Sequence, residues 1–220
     1  MCDLGPDHDS QRRRVLRAWG AGLALAALNA HAATKLRGTP SQTTGPFYPV
    51  DKPLDADADL TLIKGHKQRA SGQVVHVMGR VLDTNGKPIP GARLEIWQAN
   101  ARGRYVHPGD SNPAPLDPHF EGYASLLADD LGRYRFKTIK PGAYPAGSAM
   151  RPPHIHFGVT GRRERLVTQM YFPKEPRNDN DFVIAGAGDA RGLLVAEVSA
   201  PAADLEPDSW LARWDIVLEA

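Results

Sequence analysis

Residues 74–82 read VVHVMGRVL and are followed by the pair Asn85-Gly86. Valine-rich runs favour β-strands, and Asn-Gly is typical of the tight turn that closes a β-hairpin. The next segment, residues 92–97 (ARLEIW), alternates apolar with polar side chains, which is the period of a strand with one buried face. These segments predict two consecutive strands separated by a turn.

The same pattern of short strands and turns continues through the chain. The 21 glycines and 19 prolines favour turns over long helices, and no segment indicates a helix. Further strands are predicted at residues 123–127, 133–138, 154–160, 166–172, 193–198 and 213–218. The sequence therefore predicts an all-β protein, an antiparallel β-sandwich with long irregular loops.

The composition indicates one ordinary globular domain. Of the 220 residues, 41% are hydrophobic and 24% are charged, a balance that excludes a disordered chain. Lysine and arginine number 27 against 25 acidic residues. No basic run follows the N-terminal region, so nucleic acid is not an expected partner and a small substrate is favoured.

The N-terminal region is typical of an export signal. Arg12 and Arg13 stand in the pattern of a twin-arginine motif, and Ala30-His31-Ala32 offers a cleavage site. The apolar stretch between them, residues 18–28, has about 11 residues, against the roughly 20 needed to span a bilayer. We expect residues 1–32 to be a cleaved signal peptide of a periplasmic or secreted protein, without a membrane anchor after cleavage. The alternative is a basic helix or an anchor that stays attached.

The remaining chain is predicted to be a linker and one domain. Residues 33–44 are polar and predict a flexible linker, whereas residues 45–49 (GPFYP) predict a rigid loop because two of them are proline. The domain is expected to run over residues 45–220. The only cysteine, Cys2, lies in the signal segment, and its loss would suit an oxidising compartment.

The motif His154-Ile155-His156 is a candidate metal site. Side chains alternate along a strand, so both histidines face the same side, about 6.6 Å apart at the backbone. Both imidazoles can then reach one metal ion. The alternative is a pair of surface or hydrogen-bonded core histidines.

Three further residues accompany the histidine pair. The prolines of Arg151-Pro152-Pro153 favour a polyproline-like geometry that repeats every three residues, so Arg151 and His154 are expected to point the same way. Tyr105 and Tyr144 lie in predicted loops, where functional residues collect. A surface arginine and two packing tyrosines are the alternatives.

Four segments, taken in order, resemble the intradiol ring-cleavage dioxygenases, most closely the protocatechuate 3,4-dioxygenase branch. The resemblance runs from about residue 45 to residue 218. The segments are residues 45–49 (GPFYP), 96–105 (IWQANARGRY), 139–145 (IKPGAYP) and 151–157 (RPPHIHF).

The resemblance implies a β-sandwich with a non-haem Fe(III) ion. By motif, the ligands are Tyr105, Tyr144, His154 and His156, with Tyr144 and His154 as the axial pair. Arg151 and Gln169 match residues that face the substrate and O2. The implied reaction opens a catechol-type ring between its two hydroxylated carbons with O2 and gives a cis,cis-muconate-type diacid. The catechol is expected to displace one of the two tyrosines, which takes up a substrate proton, and Tyr144 is expected to be catalytic as well as a ligand.

The ligand set agrees with ferric iron on chemical grounds. Tyrosine has an unperturbed pKa of about 10, so a phenolate at neutral pH needs a strong cation beside it. Hard anionic oxygen ligands favour Fe(III) over Fe(II).

The sequence departs from the family at two points. Thr44 stands where many relatives carry an acid, and no helical dimerisation segment of the catechol 1,2-dioxygenase branch is found. Because the protocatechuate branch uses two chain types, both a homo-oligomer and a hetero-oligomer with a related subunit stay open.

Two other classes of protein share part of the pattern. Residues 79–92 are similar to the opening hairpin of transthyretin-like modules, so a non-catalytic extracellular β-sandwich is the alternative function. Such a module has no reason to carry the two tyrosines and two histidines together. A cupin-type metalloenzyme also uses His-x-His but needs a further glutamate and histidine at that family's spacing, which the sequence lacks.

Overall fold

A computed structural model describes residues 34–53 and 57–219, and the predicted signal peptide lies outside these residues. The described chain is mostly β, as predicted, with a few short helices. No helix in these ranges is long and apolar enough to cross a membrane. The strands are β1 (Val74–Asp83), β2 (Arg93–Trp97), β3 (Tyr123–Leu127), β4 (Arg133–Ile139), β5 (Tyr144–Ala146), β6 (Ala149–Arg151), β7 (His154–Thr160), β8 (Arg165–Tyr171), β9 (Glu197–Ser199), β10 (Trp210–Arg213) and β11 (Ile216–Leu218).

The first sheet is built around β1. One side of β1 pairs with β4 in antiparallel fashion, and the other side pairs with β10 and then β11 in parallel, with β9 beyond β10. The prediction of a wholly antiparallel sandwich was therefore wrong for these two pairings. Parallel strands need a long crossover connection. Here all the strands of the second sheet lie between β1 and β10 in the chain, so the connection is long enough.

The second sheet has the antiparallel order β3-β2-β7-β8, and β5 and β6 form a separate hairpin. Both larger sheets contribute side chains to one core. Phe157 of β7 lies in its centre, with its ring 5.9 Å from that of Phe136 and 5.0 Å from that of Trp214. Two sheets that share one core are the arrangement that the sandwich prediction requires.

The segment after β8 differs most from the sequence prediction. Predicted strand 193–198 begins in a 3-10 helix, Gly188–Leu194, and the observed strand, β9, starts only at Glu197. A second 3-10 helix, Pro176–Asn180, and the single-turn α1, Phe182–Ala185, were not predicted. Helices this short have no apolar period to detect.

The predicted strand 213–218 contains all of β11 but only the last residue of β10, which begins earlier, at Trp210. The break lies at Trp214 and Asp215, where the Asp215 carboxylate accepts a hydrogen bond from the Arg80 backbone amide at 2.8 Å. A side chain thus takes the place of a strand partner at this point of β1.

The residues predicted to form a flexible linker lie along the second sheet and the chain end. The Thr39 amide donates to the Val217 carbonyl at 2.9 Å, and the Gln42 amide donates to the Val167 carbonyl at 2.7 Å. Unpaired groups of an edge strand attract such pairing. We call residues 34–48 the N-terminal arm, because it covers the edge of β8 and leads to the candidate site.

The shared core predicts a large effect of truncating its central aromatic residue. Phe157→Ala removes a fully buried ring, and we expect it to lower the free energy of unfolding by about 3–5 kcal/mol. Leu127→Ala on the exposed end of β3 is the matched control and should change it by less than about 0.5 kcal/mol. Urea unfolding measures both values, and similar losses for the two variants would contradict this assignment of the core.

Candidate metal centre

Two loops that each carry a candidate tyrosine are tied together by Asn100. Its side-chain oxygen accepts from the Arg102 and Arg104 amides at 2.8 and 3.1 Å, which shapes the turn that ends at Tyr105. Its backbone carbonyl accepts from Gly142 in the second loop at 2.9 Å. A Cβ at Gly142 would lie 2.5 Å from the Gly103 nitrogen, so only glycine permits this approach. The contact sets Tyr105 and Tyr144 edge to face, with ring centroids 5.2 Å apart.

Tyr144 begins the β5–β6 hairpin and pairs directly with Arg151 across it. The hairpin was not predicted from the sequence, because its strands have three residues each. It brings the predicted cation beside one of the predicted tyrosines.

The two histidines lie on β7 with their side chains on the same side, as the strand period predicts. The Nε2 atoms of His154 and His156 are 3.2 Å apart. His154 Nδ1 donates to the Pro152 carbonyl at 2.7 Å, so the lone pair of this ring is on Nε2. The Tyr144 hydroxyl donates to that Nε2 at 3.4 Å.

His156 is held by a different contact. Its ring stacks on the indole of Trp97, at 4.9 Å between centroids and 11° between planes, where β2 and β7 pair the two residues. Its buried Nδ1 has no hydrogen-bond partner among the described residues. Stacking therefore sets the orientation of this imidazole in place of the usual hydrogen bond.

Burial gives all four side chains unusual proton affinities. They are 1–4% exposed. Burial and the neighbouring Tyr144 raise the pKa of Tyr105 well above its usual value. Burial raises the pKa of Tyr144 as well, although the Arg151 guanidinium opposes this.

The histidine pKa values move the other way. Burial, followed by the charge of His156, lowers the pKa of His154, and burial with Arg151 lowers the pKa of His156 to about 3. Both imidazoles are neutral at physiological pH and keep lone pairs for a cation.

Arg151 and Gln169 belong to one buried network beside the histidines. Arg151 Nη2 donates to the Gln169 side-chain oxygen at 2.8 Å and to the Tyr171 hydroxyl at 2.9 Å. Gln169 in turn donates from Nε2 to the Thr43 carbonyl at 3.0 Å. Asp181 forms an ion pair with Arg151 Nε at 2.6 Å.

The N-terminal arm closes one side of the cluster. The Phe47 ring lies 4.8 Å from the Tyr105 ring and 5.9 Å from the Tyr144 ring. Gly45 has φ +70°, and a Cβ there would lie 3.2 Å from His156 Cε1. The backbone of the arm therefore lies so close to the His156 imidazole that a side chain at Gly45 would be crowded.

Sequence reasoning missed four residues of this neighbourhood: Phe47, Trp97, Tyr171 and Asp181. The sequence analysis gives neither Trp97 nor Asp181 a role in the site. Since Tyr171 pairs with His154 across β7 and β8, a correct strand register would have pointed to it. No local signal marks Asp181.

The donor set fits a bound metal ion. Two imidazole lone pairs at 3.2 Å repel each other in a dry interior unless a proton or a cation lies close to both. The Tyr105 hydroxyl is buried without a partner among the described residues. The two histidine nitrogens and the two tyrosine oxygens can each donate an electron pair to a metal ion. Four such ligands suit a ferric ion and leave coordination positions for a small ligand.

The family profile described as "Dioxygenase" matches residues 43–220. The chain is also 48% identical over 153 residues to the protocatechuate 3,4-dioxygenase beta chain of Burkholderia cepacia, a match that covers 67% of this chain. This chain belongs to the intradiol ring-cleavage dioxygenase family. The resemblance found in the motifs is therefore confirmed at the level of the family.

Other intradiol dioxygenases give the same result. The catechol 1,2-dioxygenase of Acinetobacter baylyi is 31% identical over 175 residues, which covers 73% of this chain. The solved dioxygenase domain of a dioxygenase carbohydrate-binding protein fusion from Streptomyces sp. SirexAA-E is 28% identical, with a TM-score of 0.64. That match covers 84% of this chain and 99% of the solved chain. The curated matches span 64% of the B. cepacia chain and 53% of the A. baylyi chain.

A cavity of about 430 Å³ adjoins the cluster. Its wall includes the Tyr105 and Trp97 side chains, several apolar residues and the charged side chains of Asp51, Lys52 and Glu121. Tyr105 is the one proposed metal ligand that lines this cavity.

The buried neutral histidines predict an acid-sensitive metal-free protein. Their pKa values are lowered in the folded state, so unfolding takes up protons as the pH falls below the unfolded value of about 6.5. Stability is full above that pH and decreases by up to about 1.4 kcal/mol per pH unit for each histidine below it.

Urea unfolding of chelator-treated protein from pH 7 to pH 5 measures this slope. His154→Gln with His156→Gln should flatten it, whereas the exposed His66→Gln should leave it unchanged. An equal slope in all three proteins would show that these imidazoles are not buried as neutral groups.

Proposed function

We propose that the protein is a non-haem Fe(III) dioxygenase that cleaves a catechol-type ring between its two hydroxylated carbons. Both atoms of O2 enter the product, a cis,cis-muconate-type diacid. The observation that carries the proposal is that the Tyr144 hydroxyl and His156 Nε2 each lie within 3.4 Å of His154 Nε2, near a buried Tyr105 hydroxyl that has no hydrogen-bond partner among the described residues.

Membership of the family and the names of the relatives support the substrate class. Protocatechuate, catechol and hydroxyquinol 1,2- or 3,4-dioxygenases occur among the relatives, and each named substrate has adjacent ring hydroxyls. A non-catalytic sandwich would not need two buried, uncharged histidines beside two buried tyrosines.

We propose Tyr105, Tyr144, His154 and His156 as the residues that hold the iron. Ferric iron at this site would supply the Lewis acidity that promotes deprotonation of a bound catechol, and the resulting catecholate is electron-rich enough to react with O2. His154 is presented by its bond to Pro152 and His156 by its stack on Trp97.

The protein's own groups handle protons and charge. As the phenolate that a ferric ion would stabilise, the Tyr144 oxygen would accept a proton from an incoming ring hydroxyl, because burial raises its pKa and makes the phenolate a strong base. Arg151 places a fixed positive charge next to Tyr144, where negative charge develops on the substrate. Gln169, clamped between Arg151 and Thr43, orients the reacting groups. Phe47 and Trp97 exclude water from the imidazoles and phenols.

Assembly and location are part of the same proposal. Because Phe47 and Gly45 come from this chain, we propose that the chain forms its site by itself and assembles with further copies or with a related subunit. Ring cleavage by the chain expressed alone supports assembly from copies of this chain, and activity only with an added subunit supports assembly with a related subunit.

We propose twin-arginine export to the periplasm or medium. Arg12→Lys with Arg13→Lys should retain the protein in the cytoplasm on cell fractionation, and unchanged export would exclude this route.

The ring-cleavage proposal predicts a defined stoichiometry. With iron-loaded protein and catechol under ¹⁸O2, we expect one O2 consumed per ring and both labelled atoms in an acyclic diacid, measured with an oxygen electrode and mass spectrometry. His154→Gln should lower the rate at least about 100-fold, because even indirect partners of metal ligands are worth 10- to 100-fold. The exposed His66→Gln is the matched control and should retain the wild-type rate. An intact ring in the product, or equal rates for both variants, would contradict the proposal.

A further inference from the structure

Asp181 is a buried carboxylate outside the proposed ligand set. It is 3% exposed and lies on the segment between β8 and β9. Its Oδ2 accepts from Arg151 Nε at 2.6 Å, and its Oδ1 accepts from Arg151 Nη2 at 3.3 Å. The carboxylate therefore engages one edge of the planar guanidinium through two parallel bonds.

Asp181 is itself fixed by the backbone. Its Oδ1 also accepts from the Val183 and Ile184 amides at 3.1 and 2.9 Å, which caps the single turn of α1. A side chain held at both ends has little freedom to rotate. The carboxylate therefore holds the Arg151 guanidinium in a fixed position relative to the backbone of α1.

The other contacts of Arg151 use the same edge. Nη2 also donates to Gln169 and to the Tyr171 hydroxyl, so the bonds to Asp181, Gln169 and Tyr171 all run from Nε and Nη2. The charge of the group also lowers the proton affinity of the adjacent Tyr144 hydroxyl.

We infer that Asp181 is a positioning residue for the reaction, which holds the Arg151 guanidinium in the plane and direction that the reacting substrate needs. The inference rests on the proposed function, because that function gives Arg151 its role. None of the described hydrogen bonds joins Asp181 to the four proposed metal ligands, so its contact with the site runs through Arg151, although its charge also raises the pKa of Tyr144.

A charged partner is required for two physical reasons. An unpaired guanidinium buried beside imidazoles is costly, and it would move toward water. A neutral acceptor binds one N–H but does not match the two-pronged geometry of an Arg–carboxylate pair. A small misplacement of a positioned catalytic group can cost about 100-fold in rate.

The test is a double-mutant cycle in the iron-loaded full chain, with catechol as substrate and kcat divided by iron content. Asp181→Asn keeps the size of the side chain and the helix cap but removes the charge, and Arg151→Lys keeps a positive charge but removes the fork. Asp189→Asn is the matched control. Asp189 lies between β8 and β9, like Asp181, but its ion pair, with Arg37 of the N-terminal arm, is exposed.

We expect Asp181→Asn and Arg151→Lys each to lower kcat about 10- to 100-fold, with the anaerobic dissociation constant of catechol changed less than about threefold. The double variant should be no slower than Arg151→Lys alone, within about threefold, because Asp181 acts through Arg151. Asp189→Asn should keep the wild-type kcat.

Two results would overturn the inference: a kcat for Asp181→Asn equal to that of the control, or losses that multiply in the double variant, as expected of a purely structural residue. If Asp181→Asn does not fold, Asp181→Glu retains the charge and displaces the carboxylate, and it enters the same cycle with the same two criteria. A wild-type protein that cleaves no catechol would instead contradict the proposed function, so the two failures are distinguishable.

Discussion

Two imidazole nitrogen atoms held 3.2 Å apart in a dry interior are the constraint on which the rest of this structure depends. In the metal-free protein the repulsion between their lone pairs can be relieved only by a neutral tautomer of His156 that donates from Nε2 to His154, since burial disfavours a positively charged ring. A cation bound between nitrogen and phenol oxygen donors relieves it. Because β7 alternates its side chains, the sheet itself sets this spacing, and the neighbouring strands supply Trp97 and Tyr171 to hold the two rings.

The remaining parts of the site are brought to β7 by irregular segments. Asn100 joins the two tyrosine loops, the hairpin of β5 and β6 sets Tyr144 opposite Arg151, and the N-terminal arm places Phe47 over the phenol rings. The sandwich is the rigid support, and the loops carry most of the polar chemistry, which is the usual division between scaffold and function.

Local patterns were sufficient to predict β1 to β4, β7 and β8 and the His-x-His pair, since these follow from a two-residue period, whereas the three-residue strands β5 and β6 were missed. The positions of Tyr105, Tyr144 and Arg151 were taken from a resemblance of ordered motifs. The parallel pairing of β10 and β11 with β1 was not predictable, because strand direction depends on a connection far longer than any local pattern. Asp181 was missed for a related reason: its partner lies 30 residues away, and only the fold reveals a buried carboxylate behind the arginine.

The most direct test of the central claim is the visible absorption spectrum of the iron-loaded protein, before and after catechol is added without oxygen. The account predicts a broad tyrosinate-to-iron band that shifts when catechol binds and is lost or strongly altered in Tyr105→Phe. A folded protein that takes up no iron and shows no such band would contradict the ferric site, and the non-catalytic β-sandwich would become the better account of this chain.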